Sequence, residues 1–311
     1  MQRLLIQGAR FLALSVLLYL VVFYILTKTV FLGRPLIYRT SDYYQWKGGA
    51  AWMQYAEFDP AAKWDAVVLG SSHAYRGYDP RVFQDRGYRM FNLGSSAQTP
   101  MNGYYVLKQY ADSSRTPLVI FDMYENAFTQ DGMESTSELT QHVPSDAEAW
   151  GMAWGVHDLR ALNMMALRYF TRDVGPMFTD STYRGAGYAV RAARAPANVR
   201  YDVGRPWRMN ANQRRYFTAC IELCRTRGIE LVLTTHFYPH QSDTAKHALF
   251  HHFVDSTARA HGLRYLDFAY AHELSDTDHF CDHNHLNEAG ARIFNARLVD
   301  SLRAKGYLPQ R

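Results

Sequence analysis

The sequence predicts an α/β protein: a three-layer α/β/α sandwich on a mainly parallel five-stranded sheet, preceded by an N-terminal transmembrane helix. Three observations carry that expectation. Five short segments are continuously apolar rather than alternating, as strands covered on both faces are. Helical patterns fall between them, which implies right-handed crossovers. The chain also opens on a charge-free apolar run that approaches the length of a bilayer span.

That run is FLALSVLLYLVVFYIL, residues 11–26, with Arg3 and Arg10 before it and Lys28 and Arg34 after it. No polar face breaks it, which argues against a buried helix of a soluble domain. No small-x-small site follows, which argues against a removed leader. The expectation is an uncleaved single-pass anchor over residues 1–33. Positive charge on both flanks orients it weakly; we take the N-terminus as inside and the remainder as extracytoplasmic.

An aromatic-rich connector occupies residues 34–63, and one domain fills 64–311. Its strands read as DAVVLG (65–70), YRMFNLG (88–94), PLVIFDMY (117–124), IELVLTTHF (229–237) and RYLDF (264–268). Residues 99–114 set Tyr104, Leu107 and Tyr110 at helical spacing. Residues 210–228 start at a capping Asn210, carry the stripe Phe217, Cys220, Ile221 and Cys224, and stop at Gly228. A third helix ends at Gly262, and a fourth, over 286–306, turns Ile293, Phe294, Leu298 and Leu302 to the sheet. Residues 127–209 break the rhythm and read as an insertion over the sheet's edge or mouth. Its Arg184, Arg191, Arg194, Arg200 and Arg205 form either a solvated face or a lid toward a polyanion.

Hydrophobic residues make up 48% of the 311 and charged residues 20%, which are globular proportions. The net charge of +5 suits anionic envelope polymers or a membrane surface. Lysines and arginines are scattered, without a basic block or a nucleic-acid module, so no nucleic-acid partner is expected. The three cysteines make no disulfide framework, and HFCDHNH (279–285) matches no structural zinc spacing, so no metal is expected. The turn after VVLG lacks the glycines of a dinucleotide fingerprint, and no cofactor is expected.

Two motifs carry chemistry. In VVLGSSH, Ser71, Ser72 and His73 follow a strand, where an open parallel sheet gathers its reactive groups. A serine there is either a nucleophile or a helix cap. In HFCDHNHLNEAGARIF, Asp282 and His285 stand three apart before the last helix. A carboxylate so placed can hold the imidazole Nδ1–H and leave Nε2 to take a serine proton. The plainer alternative is that Asp282 or Asn284 caps the helix and His285 merely packs.

Taken together, the motifs resemble the SGNH (GDSL-like) hydrolase superfamily over roughly residues 64–306, which implies a flavodoxin-like sandwich. The Gly-Asp-Ser block matches Gly70, Ser71 in place of the aspartate, and Ser72. The second block's glycine matches Gly94. The Asp-x-x-His block matches Asp282 and His285. The third block is poor: FDMYENAF supplies Asn126 but neither the glycine nor the aspartate. The resemblance implies Ser72, His285 and Asp282 as nucleophile, base and orienter. It implies an oxyanion hole from the Ser72 N–H, the Gly94 N–H and Asn126. His73 and His236 are expected to bind substrate. The form of the motifs, with an anchor, looks most like envelope branches of the superfamily, relatives of the D-alanyl transfer protein of teichoic-acid synthesis and of SGNH-like polysaccharide O-acetylation proteins. That implies acyl-ester transfer or hydrolysis on a cell-envelope polysaccharide or other acylated glycan. The alternative is a non-catalytic glycan-binding or scaffold protein beside a membrane-bound O-acyltransferase.

Overall fold

The computed structural model describes residues 1–45, 47–201 and 203–311. Five parallel strands form the sheet: β1 (Ala66–Leu69), β2 (Met90–Asn92), β3 (Leu118–Asp122), β4 (Glu230–Thr235) and β5 (Arg264–Asp267). Their spatial order is β2-β1-β3-β4-β5. The chain therefore runs outward from β1 to β2, then doubles back to β3 on the other side of β1. The crevice between the carboxyl ends of β1 and β3 is the topological switch point, where such sheets bind ligands.

The central strands are largely apolar because both faces are covered. Val67, Leu69, Val119, Phe121, Leu231 and Leu233 belong to one core; Ala66, Val68, Leu118, Ile120 and Val232 belong to the other. The period of two is thus present but hidden, since both sets are buried. On the first face lie α5 (Pro100–Tyr110), α9 (Ala211–Thr226) and α10 (Thr244–His261). On the second lie the short α3 (Ser72–Gly77) and α4 (Pro80–Gln84) and the final α11 (Glu288–Ala304).

The strand and helix centres fall where the sequence put them, and the ends are shorter. Asn210 caps α9 through its side chain, and its Phe217, Cys220, Ile221 and Cys224 are all buried. Gly262 ends α10 with φ +69°. On α11, Phe294, Leu298 and Leu302 are buried, but Ile293 is exposed, one residue around the helix from the face it was expected to share. The α11 cap is Asn287, whose side chain accepts from Gly290 N–H; neither Asp282 nor Asn284 serves.

Residues 127–209 hold three helices, α6 (Met133–His142), α7 (Asp146–Gly155) and α8 (Arg160–Phe170), followed by a long irregular strap. The strap crosses the edge of β2, where Asn92 N–H donates to Ala186 C=O at 2.9 Å. It then runs over the sheet's mouth. Ala189 N–H donates to Tyr75 C=O, and Arg191 C=O accepts from Glu288 N–H at 2.7 Å. Gly187 is required there: a Cβ would sit 1.9 Å from the Asn92 carbonyl oxygen.

The N-terminal helix α1 (Gln2–Lys28) is long and apolar enough to cross a bilayer. A short helix α2 (Gly49–Glu57) lies in the connector.

Candidate active site

The site begins with a glycine. Gly70 ends β1 at φ +144°, and a Cβ there would lie 2.8 Å from the Asp122 Cβ and 3.0 Å from the Ala74 Cβ. The chain can turn sharply off the strand only without a side chain. The next two serines divide the work. Ser71 caps α3 and, at 3% exposure, faces inward; its hydroxyl lies 3.0 Å from His73 Nδ1. Ser72, the first residue of α3, turns outward, and its Oγ lies 2.8 Å from His285 Nε2.

The loop that brings His285 across 213 residues is built by Asp282. One carboxylate oxygen accepts the N–H groups of Asn284 (3.0 Å) and His285 (2.8 Å), closing a tight turn rather than a helical one. The other is 2.9 Å from His285 Nδ1. A bridge between Phe280 and Leu286 clamps the loop at its base. Because an ionised carboxylate only accepts, Nδ1 carries the proton, and the lone pair of Nε2 faces the Ser72 hydroxyl.

Burial alone would raise the Asp282 carboxyl. The His285 hydrogen bond and charge, with the two backbone N–H groups, outweigh it and hold the group well below the usual carboxylate range. His285 is lowered, first by burial and further by the Arg76 and Arg191 guanidinium groups, with Asp282 opposing. Ring stacking fixes the imidazole from behind. His73 lies parallel to it, centroids 4.3 Å apart, and His236 stacks on the far side of His73 at 4.5 Å. His73 is itself held well below the ordinary value by burial and then by its two imidazole neighbours.

A cavity of about 370 Å³ opens over Ser72 and His285, in the range of small-molecule sites. His73, Arg76, Ala97, Tyr124, Asn126 and Arg191 are among its lining residues. Beside it lies a second cavity that shares Tyr124, Asn126 and Asn284 and adds Tyr201, Tyr238 and Asp243.

Two sequence-based expectations, on Gly94 and His236, are corrected here. Gly94 spends its N–H on Asn92 Oδ1 at 2.9 Å and does not line the Ser72 cavity. Ala97 does line it, with φ +47° and an N–H that makes no hydrogen bond among the described residues. Asn126 lines the cavity; one of its two amide N–H groups donates to the Tyr124 hydroxyl at 2.7 Å while its oxygen accepts from Lys246. His236 is not a wall of the cavity. At 1% exposure it lies behind His73, its Nδ1 2.8 Å from Asp122 Oδ1.

Tyr124 was missed. Its hydroxyl accepts from both Asn126 and Asn284, which leaves its own proton to donate. The only hint in the sequence was its position at the carboxyl end of a strand.

Among the described residues, one group has the spacing to hold a metal ion: His247 and His251 of α10 with Asp267 at the end of β5. Asp267 Oδ2 lies 3.0 Å from His247 Nε2 and also meets His251 Nδ1. The carboxylate meets one nitrogen of each ring and ties α10 to the sheet, while His247 Nδ1 is buried without a hydrogen-bond partner among the described residues.

No protein-family model and no curated protein matches the chain. Solved structures do resemble it. A GDSL-like lipase from Bacteroides thetaiotaomicron is 11% identical with a TM-score of 0.44, over 81% of this chain and 94% of that one. The lipase/acylhydrolase from Enterococcus faecalis is 14% identical, TM-score 0.42, over 79% and 98%. A catalytic mutant of an acetylxylan esterase from Geobacillus stearothermophilus is 12% identical, TM-score 0.42, over 82% and 100%. At these identities the likeness is one of outline, and the chemistry is read from this chain's own atoms.

Proposed function

We propose that the chain is an SGNH-type serine esterase or acyltransferase that moves acyl esters on a cell-envelope glycan. The observation that carries this is the line from Asp282 through His285 to the Ser72 hydroxyl, with both hydrogen bonds under 3 Å. Ser72 Oγ attacks the ester carbonyl as its proton passes to His285 Nε2. The tetrahedral intermediate collapses, the C–O bond to the alcohol breaks, and His285 returns the proton to the departing oxygen. Water or a sugar hydroxyl, deprotonated by His285, then resolves the acyl-serine.

The oxyanion needs donors, and Gly94 is spent. We keep the Ser72 N–H, which as the first of α3 has no intrahelical partner, and assign the Ala97 N–H in place of Gly94. The Tyr124 hydroxyl is the third. Tyr124→Phe then lowers kcat by about 10²-fold with little change in KM, as loss of one such donor does. Steady-state kinetics on p-nitrophenyl acetate checks this; an unchanged kcat removes Tyr124 from the hole.

The depressed His285 fixes a pH profile. Only the neutral imidazole accepts the Ser72 proton, so kcat/KM falls as pH drops through the His285 pKa. That acid limb is expected below the ordinary histidine value near 6.5, with a plateau through neutrality. Arg191→Gln removes one repelling charge, and the limb moves to higher pH.

The glycan is read from the polar lining of the Ser72 cavity, where Arg76, Gln130, Glu134, Arg191 and Asn284 offer hydroxyl partners; the second cavity, about 70 Å³, is too small for a sugar ring. Retention of α1 is supported by the contacts its C-terminal end makes with the domain. Phe23 and Thr27 are buried, and Lys28 pairs with Asp173 at 2.6 Å. A removable leader has no reason to build such contacts. We read the domain as extracytoplasmic, the side on which envelope glycans lie.

The test is incubation of the purified chain with an acetylated oligosaccharide, alone and with an unacetylated one. Acetate release or transfer that Ser72→Ala lacks supports the reading. Folded wild-type protein that does neither refutes it. It would then favour a glycan-binding scaffold beside a membrane-bound O-acyltransferase, a reading to which the spent Gly94 N–H lends support.

A further inference from the structure

The depth at which the domain grips α1 does not fit a domain held clear of the membrane. A hydrocarbon core about 30 Å thick takes roughly 20 helical residues. The charge-free run of α1 covers residues 11–27, and contact with the domain begins inside it. Tyr19 OH donates to Asn163 Oδ1 at 2.9 Å. Phe23 and Tyr24 pack on Phe170, and Lys28 reaches Asp173. Only residues 11–18 precede these contacts, and at ~1.5 Å each they supply about 12 Å.

Keeping the whole domain in water would require the residues before Tyr19 to fill the core. Arg10 would then sit near its centre, among the least tolerated placements for a side chain. Leu20, Val21, Val22 and Ile25, each 38–54% exposed, would face water. Moving α1 by a turn or two eases both problems. Arg10 comes within snorkelling reach of one interface, the exposed apolar residues enter lipid, and α8 is drawn into the boundary on the opposite side with them.

The surface drawn in has the composition for that place. Trp154 (60% exposed) lies at the end of α7, Leu159 (78%) precedes α8, and Tyr169 lies nearly three turns further on. Trp150 stacks on Trp154 and donates to the Tyr169 hydroxyl at 2.9 Å. The neighbouring charges are paired: Arg160 with Asp158, Arg172 with Asp146, and Lys28 with Asp173. Aromatic residues flanked by paired or snorkelling cations are what the headgroup boundary selects.

We propose that the α7–α8 hairpin seats in the headgroup–acyl boundary of the lipid bilayer beside α1, so that the domain rests on the membrane rather than swinging from a tether. The inference rests on the reading of α1 as a span, and the test separates the two. Single cysteines at Leu14 (in α1), Leu159 and Leu249 (exposed on α10) carry nitroxide labels in the full-length chain. The native cysteines are buried. The chains are reconstituted into phosphatidylcholine/phosphatidylglycerol nanodiscs, and collisions with oxygen and with an aqueous nickel chelate are compared by electron paramagnetic resonance. The oxygen-to-nickel ratio is expected to be several-fold higher at positions 14 and 159 than at 249. A lipid-like value at 14 with a water-like value at 159 overturns the seat alone. A water-like value at both overturns the span as well.

Discussion

Ser72→Ala is expected to lower kcat/KM toward p-nitrophenyl acetate by about 10⁴-fold or more, with thermal unfolding unchanged within a degree or two. The size follows from what is lost: among the described residues no other hydroxyl is hydrogen-bonded to His285 Nε2. The instructive control is its neighbour. Ser71 also has an imidazole partner, His73, so both serines of Gly-Ser-Ser-His stand beside a histidine. They are not equivalent. Ser71 is buried and occupied as a cap, and its His73 is hemmed between two other rings with no carboxylate of its own. Ser71→Ala is therefore expected to cost about 1 kcal/mol of stability through the lost cap and to leave most of the activity. Esterase assays beside chemical denaturation separate the two serines. Loss of activity in the Ser71 variant with Ser72→Ala still active would reverse their assignment.

Asp282→Asn is expected to lower kcat by about 10⁴-fold. The carboxylate accepts from three N–H groups, the backbone of Asn284 and His285 and the His285 ring. A carboxamide has only one accepting oxygen. If that oxygen keeps the turn, its NH₂ faces the ring and favours the tautomer protonated on Nε2, which cannot take a proton from Ser72. If it rotates to serve the ring, the turn loses its acceptor. The first case leaves stability nearly intact and the second lowers it, so kinetics and denaturation together tell which occurs. A variant with wild-type kcat would remove Asp282 from the chemistry altogether.

The fold was legible because its strands are covered on both faces, and continuous apolar runs such as VVL and LVIF are hard to place otherwise. The Asp282–His285 spacing was legible because the contact is local: three residues and one turn suffice. The oxyanion side was not. A glycine is the natural candidate for a backbone donor near an active site, and Gly94 drew the assignment. The residue that takes positive φ over the cavity is Ala97, which nothing in its side chain announces. Asn126 does line the cavity, but what aims its amide is not only local. Its orientation is set by Tyr124 and by Lys246, the latter 120 residues away on α10. His236 was placed by strand position on the right edge of the sheet, but its pairing with Asp122 on the adjacent strand turns it inward. Local sequence locates such residues; only tertiary contacts aim them.

The central claim is that Ser72 takes up the acyl group with His285 as its base. Trapping the acylated protein with p-nitrophenyl acetate at low pH, followed by peptide mass spectrometry, tests it most directly. The result expected is one acetyl group on the peptide containing Ser72, located to that residue by fragmentation and absent in His285→Ala. Acetylation at another residue, or an equal adduct without His285, would contradict the claim.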